Sequence, residues 1–194
     1  MRGEDGIARC WWGASDPLYR RYHDREWGRP IKDDRRLFEK ICLEGFQSGL
    51  SWITILRKRE NFRKAFSGFE IEAVARFGQR KIDALMDDAG IVRNRSKIVA
   101  TINNARRCLE LQKNVGSLAA LAWSYEPVSS SGRVATGPEA IALSKDLKRR
   151  GWAFVGPTTI HSFMQAVGII NDHLQDCQAR AEVERLRARF VRPG

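Results

Sequence analysis

The sequence predicts an all-α protein of 194 residues. Apolar residues recur at intervals of three and four along most of the chain, which is the spacing of one face of an α-helix. The sequence contains no convincing alternation of apolar and polar residues over the length of a strand, and no internal repeat. The length suits one domain, or two lobes that share a core. We therefore predict a single helical domain over residues 1–194.

Five helices are predicted in the first part of the chain, each with its apolar residues on one side. The first opens with acidic residues, which the positive end of the helix dipole favours. Ser51 is predicted as the N-cap of the second, and Gly90 as the residue at which the fourth ends. The predicted ranges are 33–46, 51–66, 70–77, 79–90 and 95–111.

The rest of the chain carries four predicted helices and one loop. Residues 117–125 form a short apolar helix, and the Pro-, Gly- and Ser-rich stretch 126–140 is the predicted loop. The helix over 138–150 ends in basic residues, which suit the negative end of its dipole. A Gly-Pro pair precedes the helix over 158–170, because proline is tolerated in a first turn. The charged segment 178–194 is predicted to be a helix that frays.

The charge balance predicts a polyanionic partner. Lys and Arg number 34 against 23 Asp and Glu, so the formal net charge is +11. Nucleic acid is the first candidate and a membrane surface the second, while a charge that serves only solubility is the alternative. No apolar stretch approaches the ~20 residues of a membrane span, and the first residues lack the apolar core of a signal peptide. Four cysteines fit a reducing compartment, so we expect a cytoplasmic protein.

Two pairs of potential metal ligands stand at opposite ends of the chain. Cys10 and His23 lie near the start, and His173 and Cys177, spaced H-x-x-x-C, lie near the end. On a helix the second pair would share one face, one turn apart. Two sulfurs and two nitrogens make a closed tetrahedral set that suits Zn²⁺. Ordinary buried thiols and histidines are the alternative, and the other two cysteines, in apolar helical runs, are predicted core residues.

Two helical patterns meet at a tight turn over residues 88–94. In such a hairpin the backbone N–H groups of the turn can point at a phosphate, and flanking basic side chains add a contact that is independent of sequence. The pattern therefore predicts DNA binding, whereas a plain helical hairpin is the alternative. The predicted contacts are Gly90, Val92, Arg93, Arg95 and Lys97.

The N-terminal quarter combines many aromatic residues with a single notable acid, Glu44. Glycines on both sides of the junction that follows Glu44 let a ligand approach the backbone. Rings stack on a flat cationic ligand, and a carboxylate accepts its hydrogen bonds. An alkylated purine is such a ligand, while simple core packing is the alternative. The aromatic residues are Trp11, Trp12, Tyr19, Tyr22, Trp27, Phe46 and Trp52.

The chain closely resembles the 3-methyladenine DNA glycosylase I family, zinc-binding members of the helix-hairpin-helix DNA glycosylase superfamily. The resemblance covers nearly all of the chain between Arg9 and Cys177. The matching strings are RCWW (9–12), DPLYRRYHDREWG (16–28), ICLEGFQSGLSWITIL (41–56), KREN (58–61), DAGIVRNRSKI (88–98), NNAR (103–106) and FVGPTTIHSFMQAVGIINDH (154–173).

The resemblance implies a two-lobed helical fold with the substrate pocket between the lobes. The helix-hairpin-helix lobe would cover about 33–125, and a structural zinc ion would join the N- and C-terminal segments. The implied zinc ligands are Cys10, His23, His173 and Cys177.

The same resemblance implies a monofunctional hydrolase that releases N3-methyladenine from double-stranded DNA, as a monomer, in base excision repair. It assigns the contact with the base to Glu44 and the walls of the pocket to Trp12, Tyr19, Tyr22 and Trp52. Residues 95–125 contain no Asp, so we expect no strong general base there. Phe46 departs from the family pattern and is expected to tighten the pocket or change its selectivity. An alkylpurine glycosylase of different base preference and a non-catalytic DNA-damage-binding protein are the alternatives.

Overall fold

A computed structural model of the chain describes residues 5–128 and 136–194. These residues form an all-α fold, as predicted. Two short 3-10 helices, Trp11–Ala14 and Ser67–Phe69, accompany the α-helices. The α-helices are α1 (Pro17–Arg25), α2 (Asp34–Gln47), α3 (Trp52–Ala65), α4 (Ile71–Ala75), α5 (Gln79–Asp87), α6 (Arg95–Val115), α7 (Leu118–Trp123), α8 (Pro138–Arg149), α9 (Pro157–Ala166) and α10 (Gln178–Arg189).

The predicted helices are all present, and Ser51 is the N-cap residue of α3 as expected. Apart from α10 at the end of the chain, three of them end three or more residues away from the predicted end. Helix α5 ends at Asp87 because the Asp88 carboxylate accepts the Gly90 N–H at 2.7 Å and starts a turn. Helix α6 runs on to Val115, four residues beyond the predicted end. Helix α9 ends at Ala166, close before Gly168, where the backbone φ is +80° and a Cβ would lie 2.6 Å from backbone atoms.

Helix α1 was not assigned from the apolar pattern, and its capping explains why it forms. The Asp16 carboxylate accepts the Leu18 N–H at 2.7 Å and the Tyr19 N–H at 3.4 Å, and Pro17 occupies the first turn. Of the predicted loop over 126–140, residues 129–135 lie outside the described residues. Helix α10 ends at Arg189 and is held by Arg187, which donates to Glu126 at 2.8 Å.

Helix α2 is the centre of the fold, because it packs against α3, α6, α7 and α9. Its buried side chains, among them Leu37, Phe38 and Ile41, join the main hydrophobic core. A smaller apolar cluster packs the N-terminal segment against the start of α10. The two cysteines predicted for the core, Cys42 and Cys108, are buried there. No helix of the described part of the chain has the length and apolarity that crossing a membrane requires.

Candidate functional site

Cys10, His23, His173 and Cys177 meet in a buried cluster, although the two pairs are separated by most of the chain. Their ligand atoms all lie within 4.8 Å of one another. Cys177 Sγ is 3.4 Å from His173 Nδ1 and 3.5 Å from His23 Nε2, and Cys10 Sγ is 3.7 Å from His173 Nδ1. In a tetrahedral zinc site, sulfur and nitrogen ligands are about 3.6 Å apart. The four side chains are therefore spaced as ligands of one such ion.

In each histidine, one ring nitrogen contacts an oxygen outside the cluster, and this contact orients the other ring nitrogen toward the sulfurs. His23 Nδ1 lies 2.9 Å from the Asp24 carboxylate, which in turn accepts two N–H groups of Arg9 at 2.9 Å. His173 Nε2 lies 3.4 Å from the carbonyl oxygen of Trp27. These contacts leave His23 Nε2 and His173 Nδ1 facing the sulfurs, which is the outer-shell arrangement that metal-binding histidines use.

His173 and Cys177 lie between the predicted helices 158–170 and 178–194 and are not on a helix, so helical spacing is not what brings them together. Both residues precede α10, in a turn where the Cys177 N–H donates to the Leu174 carbonyl at 2.9 Å. Asn171 holds the segment in place, because its side chain accepts the His173 N–H at 3.3 Å and donates to Glu184 at 2.7 Å. The turn supplies the proximity that a helix would have supplied.

The four aromatic side chains assigned to the pocket lie side by side next to the cysteine–histidine cluster. The Trp12 ring is 5.6 Å from that of Tyr19 and 6.2 Å from that of Tyr22, centre to centre. Tyr22 is 5.5 Å from Trp52, which begins α3. The buried indole N–H of Trp52 has no hydrogen-bond acceptor within residues 5–128 and 136–194. The rings form one continuous wall with an unsatisfied donor in it.

Glu44 lies on α2 and is 5% exposed. Its carboxylate makes no hydrogen bond to any residue that the structure describes. Burial raises the pKa of Glu44 to about 7, against the opposing effect of the Lys40 charge. Burial, together with the Glu44 charge, also raises the pKa of Tyr22 well above its ordinary value, so the acid acts on this ring. A buried carboxylate without donors is costly, which favours a ligand that supplies them.

Lys40 is a site residue that the sequence interpretation did not single out. It is 8% exposed, and its ammonium donates to the Tyr22 hydroxyl at 3.1 Å. The same nitrogen lies 4.7 Å from the centre of the Tyr22 ring and 5.1 Å from that of Trp52. Burial lowers the pKa of Lys40 to about 8, although the Glu44 charge opposes this. The available signal was spacing, since residues four apart on a helix share one face.

Phe46 does not line this pocket, which corrects the expectation that it would tighten it. Its ring is 1% exposed and lies 4.6 Å from Phe62 and 5.8 Å from Phe66, in the main core. Two residues along a helix change direction by about 200°, so Phe46 leaves α2 on a different side from Glu44.

A turn connects α5 and α6 at the position of the predicted hairpin, and Ile91 of this turn is buried in the core. The backbone N–H groups of Val92 and Arg93 donate to no acceptor among the described residues, so they remain available to a phosphate. The backbone N–H of Gly90 is not available to a phosphate, because it donates to the Asp88 carboxylate at 2.7 Å. A Cβ on Gly90 would lie 3.2 Å from Asn61 of α3, so this glycine serves close packing instead.

The basic side chains of the hairpin divide into two groups. Arg93 and Arg95 are exposed, and within the described ranges the one ion pair of Arg95 is a 3.3 Å surface contact with Asp83. Lys97 is buried, and its ammonium donates to the carbonyl oxygens of Phe46 at 2.8 Å and Ser48 at 2.5 Å. Those carbonyls end α2, where a cation is favourable. The prediction of Lys97 as a phosphate contact is therefore corrected.

The KREN string contributes to the same hairpin, which the sequence interpretation did not foresee. Lys58 of α3 donates to the carbonyl oxygens of Ala89 at 2.9 Å and Gly90 at 3.3 Å. Asn61 donates to the Gly90 carbonyl at 3.3 Å. Helix α3 thus carries Trp52 at its start and anchors the hairpin further along.

Comparison with known proteins adds four findings. The family model for methyladenine glycosylase matches residues 11–181. The chain is 47% identical over 179 residues to DNA-3-methyladenine glycosylase 1 of Escherichia coli, which covers 88% of this chain and 96% of that protein. A crystal structure of 3-methyladenine DNA glycosylase I is similar with a TM-score of 0.84 and 45% identity, covering 89% of this chain and 100% of that one. A structure on 3-methyladenine recognition by the Staphylococcus aureus enzyme has a TM-score of 0.84 at 39% identity, covering 89% and 96%.

Proposed function

The chain belongs to the methyladenine glycosylase family, and we propose that it releases N3-methyladenine from alkylated double-stranded DNA in base excision repair. It is a monofunctional hydrolase of the N-glycosidic bond, and we infer that it acts as a monomer on the DNA of the cytoplasm. One observation carries the proposal. Glu44 is a buried carboxylate with no hydrogen bond to any residue that the structure describes, and its charge acts on Tyr22, one of the aromatic rings that suit a flat cationic base.

The reaction begins when the damaged nucleotide rotates out of the helix. Unstacking costs a few kcal/mol, and less for a damaged base. The rings then hold the plane of the purine, while Glu44 accepts hydrogen bonds from its edge. Selectivity for adenine follows, because the carbonyl oxygen of an alkylated guanine would face a carboxylate where adenine offers its amino group.

Bond breaking needs little chemical help from the protein. Alkylation at N3 places a positive charge on the base, so the electron pair of the C1′–N9 bond neutralises the departing purine. Water attacks the resulting oxocarbenium-like C1′ and loses a proton to solvent. Positioning and a suitable electrostatic environment are enough to accelerate such a step. Glu44 is accordingly a recognition residue in contact with the base.

We further propose that Cys10, His23, His173 and Cys177 hold one structural zinc ion. The donor set and the spacing of its atoms support this proposal. Four protein ligands leave no open position, so a bound ion would cross-link the two ends of the chain. Trp12, Tyr19 and Tyr22 all lie between Cys10 and His23, so this cross-link would position three of the pocket rings.

The excision assay tests the function directly. Purified protein is incubated with methylated duplex DNA, and the released purines are separated by chromatography. We expect 3-methyladenine as the main product. Release of 7-methylguanine in similar amounts would indicate a glycosylase of different base preference, and binding without release would indicate a damage-binding protein.

We propose that the hairpin over 88–95 binds the DNA backbone. Replacement of both Arg93 and Arg95 by alanine should weaken binding to duplex DNA and lower the slope of log Kd against log salt by about one for each lost phosphate contact. Binding of free 3-methyladenine should not change. The measurement is fluorescence anisotropy of labelled DNA at several salt concentrations.

Lys97→Met is the control for this experiment, because it removes a positive charge from the same segment, whereas the double variant removes two. The Lys97 ammonium caps α2 rather than facing solvent, so this control should lose stability and keep the wild-type salt slope. Wild-type binding by the double arginine variant at every salt concentration would reject the hairpin as the DNA contact.

A further inference from the structure

Lys40 presents an electrostatic problem, because it places a positive charge inside a pocket for a cationic base. Its ammonium lies over the rings of Tyr22 and Trp52, two of the walls. Glu44 follows four residues later, one turn along the same face of α2. Neither residue is required by the core, where apolar side chains would pack at lower cost. The two charges therefore call for an explanation at the level of the pocket.

The other acids near Lys40 already have cationic partners. The Glu26 carboxylate accepts hydrogen bonds from both terminal nitrogens of Arg59, at 2.5 and 3.0 Å. The Glu39 carboxylate accepts a hydrogen bond from Arg63 Nε at 2.8 Å. Of the described acids near Lys40, Glu44 is thus the one without another cationic partner. Among the described residues, Lys40 is the one cation that acts on the Glu44 carboxylate.

The surroundings of Lys40 also disfavour its withdrawal from the pocket. It borders a cavity of about 330 Å³, whose lining includes neither Tyr22 nor Trp52. Besides Lys40, the charged side chains there are four arginines and two acids, so the space is net positive and would repel the Lys40 ammonium. They are Arg35, Arg36, Arg59, Arg63, Glu26 and Glu39. The rings and Glu44 offer the ammonium its more favourable position.

We propose that Lys40 is a positioning residue that keeps Glu44 ionised, so that at neutral pH the carboxylate can accept the hydrogen bonds of the methylated adenine. This inference rests on the base-binding role proposed for Glu44. Without a nearby cation, a carboxyl group buried among rings takes up a proton and becomes a poorer acceptor. The raised pKa of Glu44 is consistent with this, because burial already brings it to about 7 with Lys40 in place. Tyr22 of α1 faces the same pair and stays a neutral phenol.

The direct test is the titration of Glu44 in the full-length protein without any ligand. The carboxyl carbon is followed by ¹³C NMR, with Glu44→Gln used to assign its signal. In Lys40→Met the midpoint should rise by about one pH unit or more, as expected for loss of a unit charge at helix-turn distance. Lys40→Arg should keep the wild-type midpoint. Equal midpoints in wild type and Lys40→Met would overturn the proposal, whether or not the protein excises bases.

Binding of free 3-methyladenine between about pH 6.5 and 9 gives a second readout. Lys40→Met should bind roughly tenfold more weakly near neutral pH and approach wild type at the alkaline end, where Glu44 is ionised in both proteins. Because glutamine does not titrate, the pH dependence of binding that remains in Glu44→Gln measures the titration of the ligand itself. Tyr22→Phe removes the hydrogen bond to Lys40 but keeps the charge, so its pH profile should have the wild-type midpoint. Loss of binding by Lys40→Met that is equal at every pH would indicate a purely structural role and contradict the proposal.

Discussion

Replacement of Glu44 by glutamine should weaken binding of free 3-methyladenine by about ten- to a hundredfold, which corresponds to loss of a charge-assisted hydrogen bond. The amide keeps the shape of the side chain, so the fold should be intact. It offers one acceptor oxygen and a competing NH₂ group where the carboxylate offers two acceptors. Isothermal titration with the free base measures the affinity, and thermal melting checks the fold.

Glu60→Gln is the matched control, since it makes the same change on an exposed part of α3, where the Glu60 side chain is 70% exposed. It should bind the base as wild type does. Excision from methylated DNA should fall in Glu44→Gln as binding falls, because the base is then held less firmly in the pocket. If Glu44→Gln and wild type have the same affinity for the base, the recognition role of Glu44 is wrong.

The helices could be predicted from the sequence because their apolar periodicity is local. Segment 33–46 became α2 with a shift of one residue, since every turn presents an apolar side chain to the core. The ends were harder where a turn depends on other parts of the chain. The fourth predicted helix stops at Asp87 because Asp88 caps the turn and α3 holds Gly90, and neither contact is visible in the local pattern.

The sequence showed which residue types could form the site, but not which of these side chains would be buried or what they would contact. Cys10 and His23 were paired with distant ligands because thiolate and imidazole are what zinc prefers. Residue type alone could not show that Lys97 is buried, since a lysine in an amphipathic helix is normally exposed. Lys40 was missed for the same reason. Both lysines gain their roles from contacts with other segments, the first with the end of α2 and the second with rings on α1 and α3.

The second large effect is expected at the cysteine–histidine cluster. Replacement of Cys177 by alanine, or treatment with a strong chelator, should lower the free energy of unfolding by about 3 kcal/mol or more, because metal binding contributes to folding wherever the unfolded chain has no preformed site. For a domain of this size that corresponds to a fall in Tm of about 10 °C. Calorimetry measures the change, and metal analysis by mass spectrometry should show that the zinc is lost with it.

Cys108→Ala is the control, because Cys108 is an equally buried thiol far from the cluster. It should cost about 1 kcal/mol, as a small change in the core does, and leave the zinc content unchanged.

Hydrogen exchange should show which helices lose stability when the cluster is disrupted. Cys10 and His23 tie down α1, and Cys177 precedes α10, so these two helices should lose protection first while α2 and α6 keep theirs. A metal-free protein with the wild-type Tm and unchanged protection of α1 would show that the four residues are not a structural clamp. Since Trp12, Tyr19 and Tyr22 lie between the first two ligands, base binding should decline together with the protection of α1.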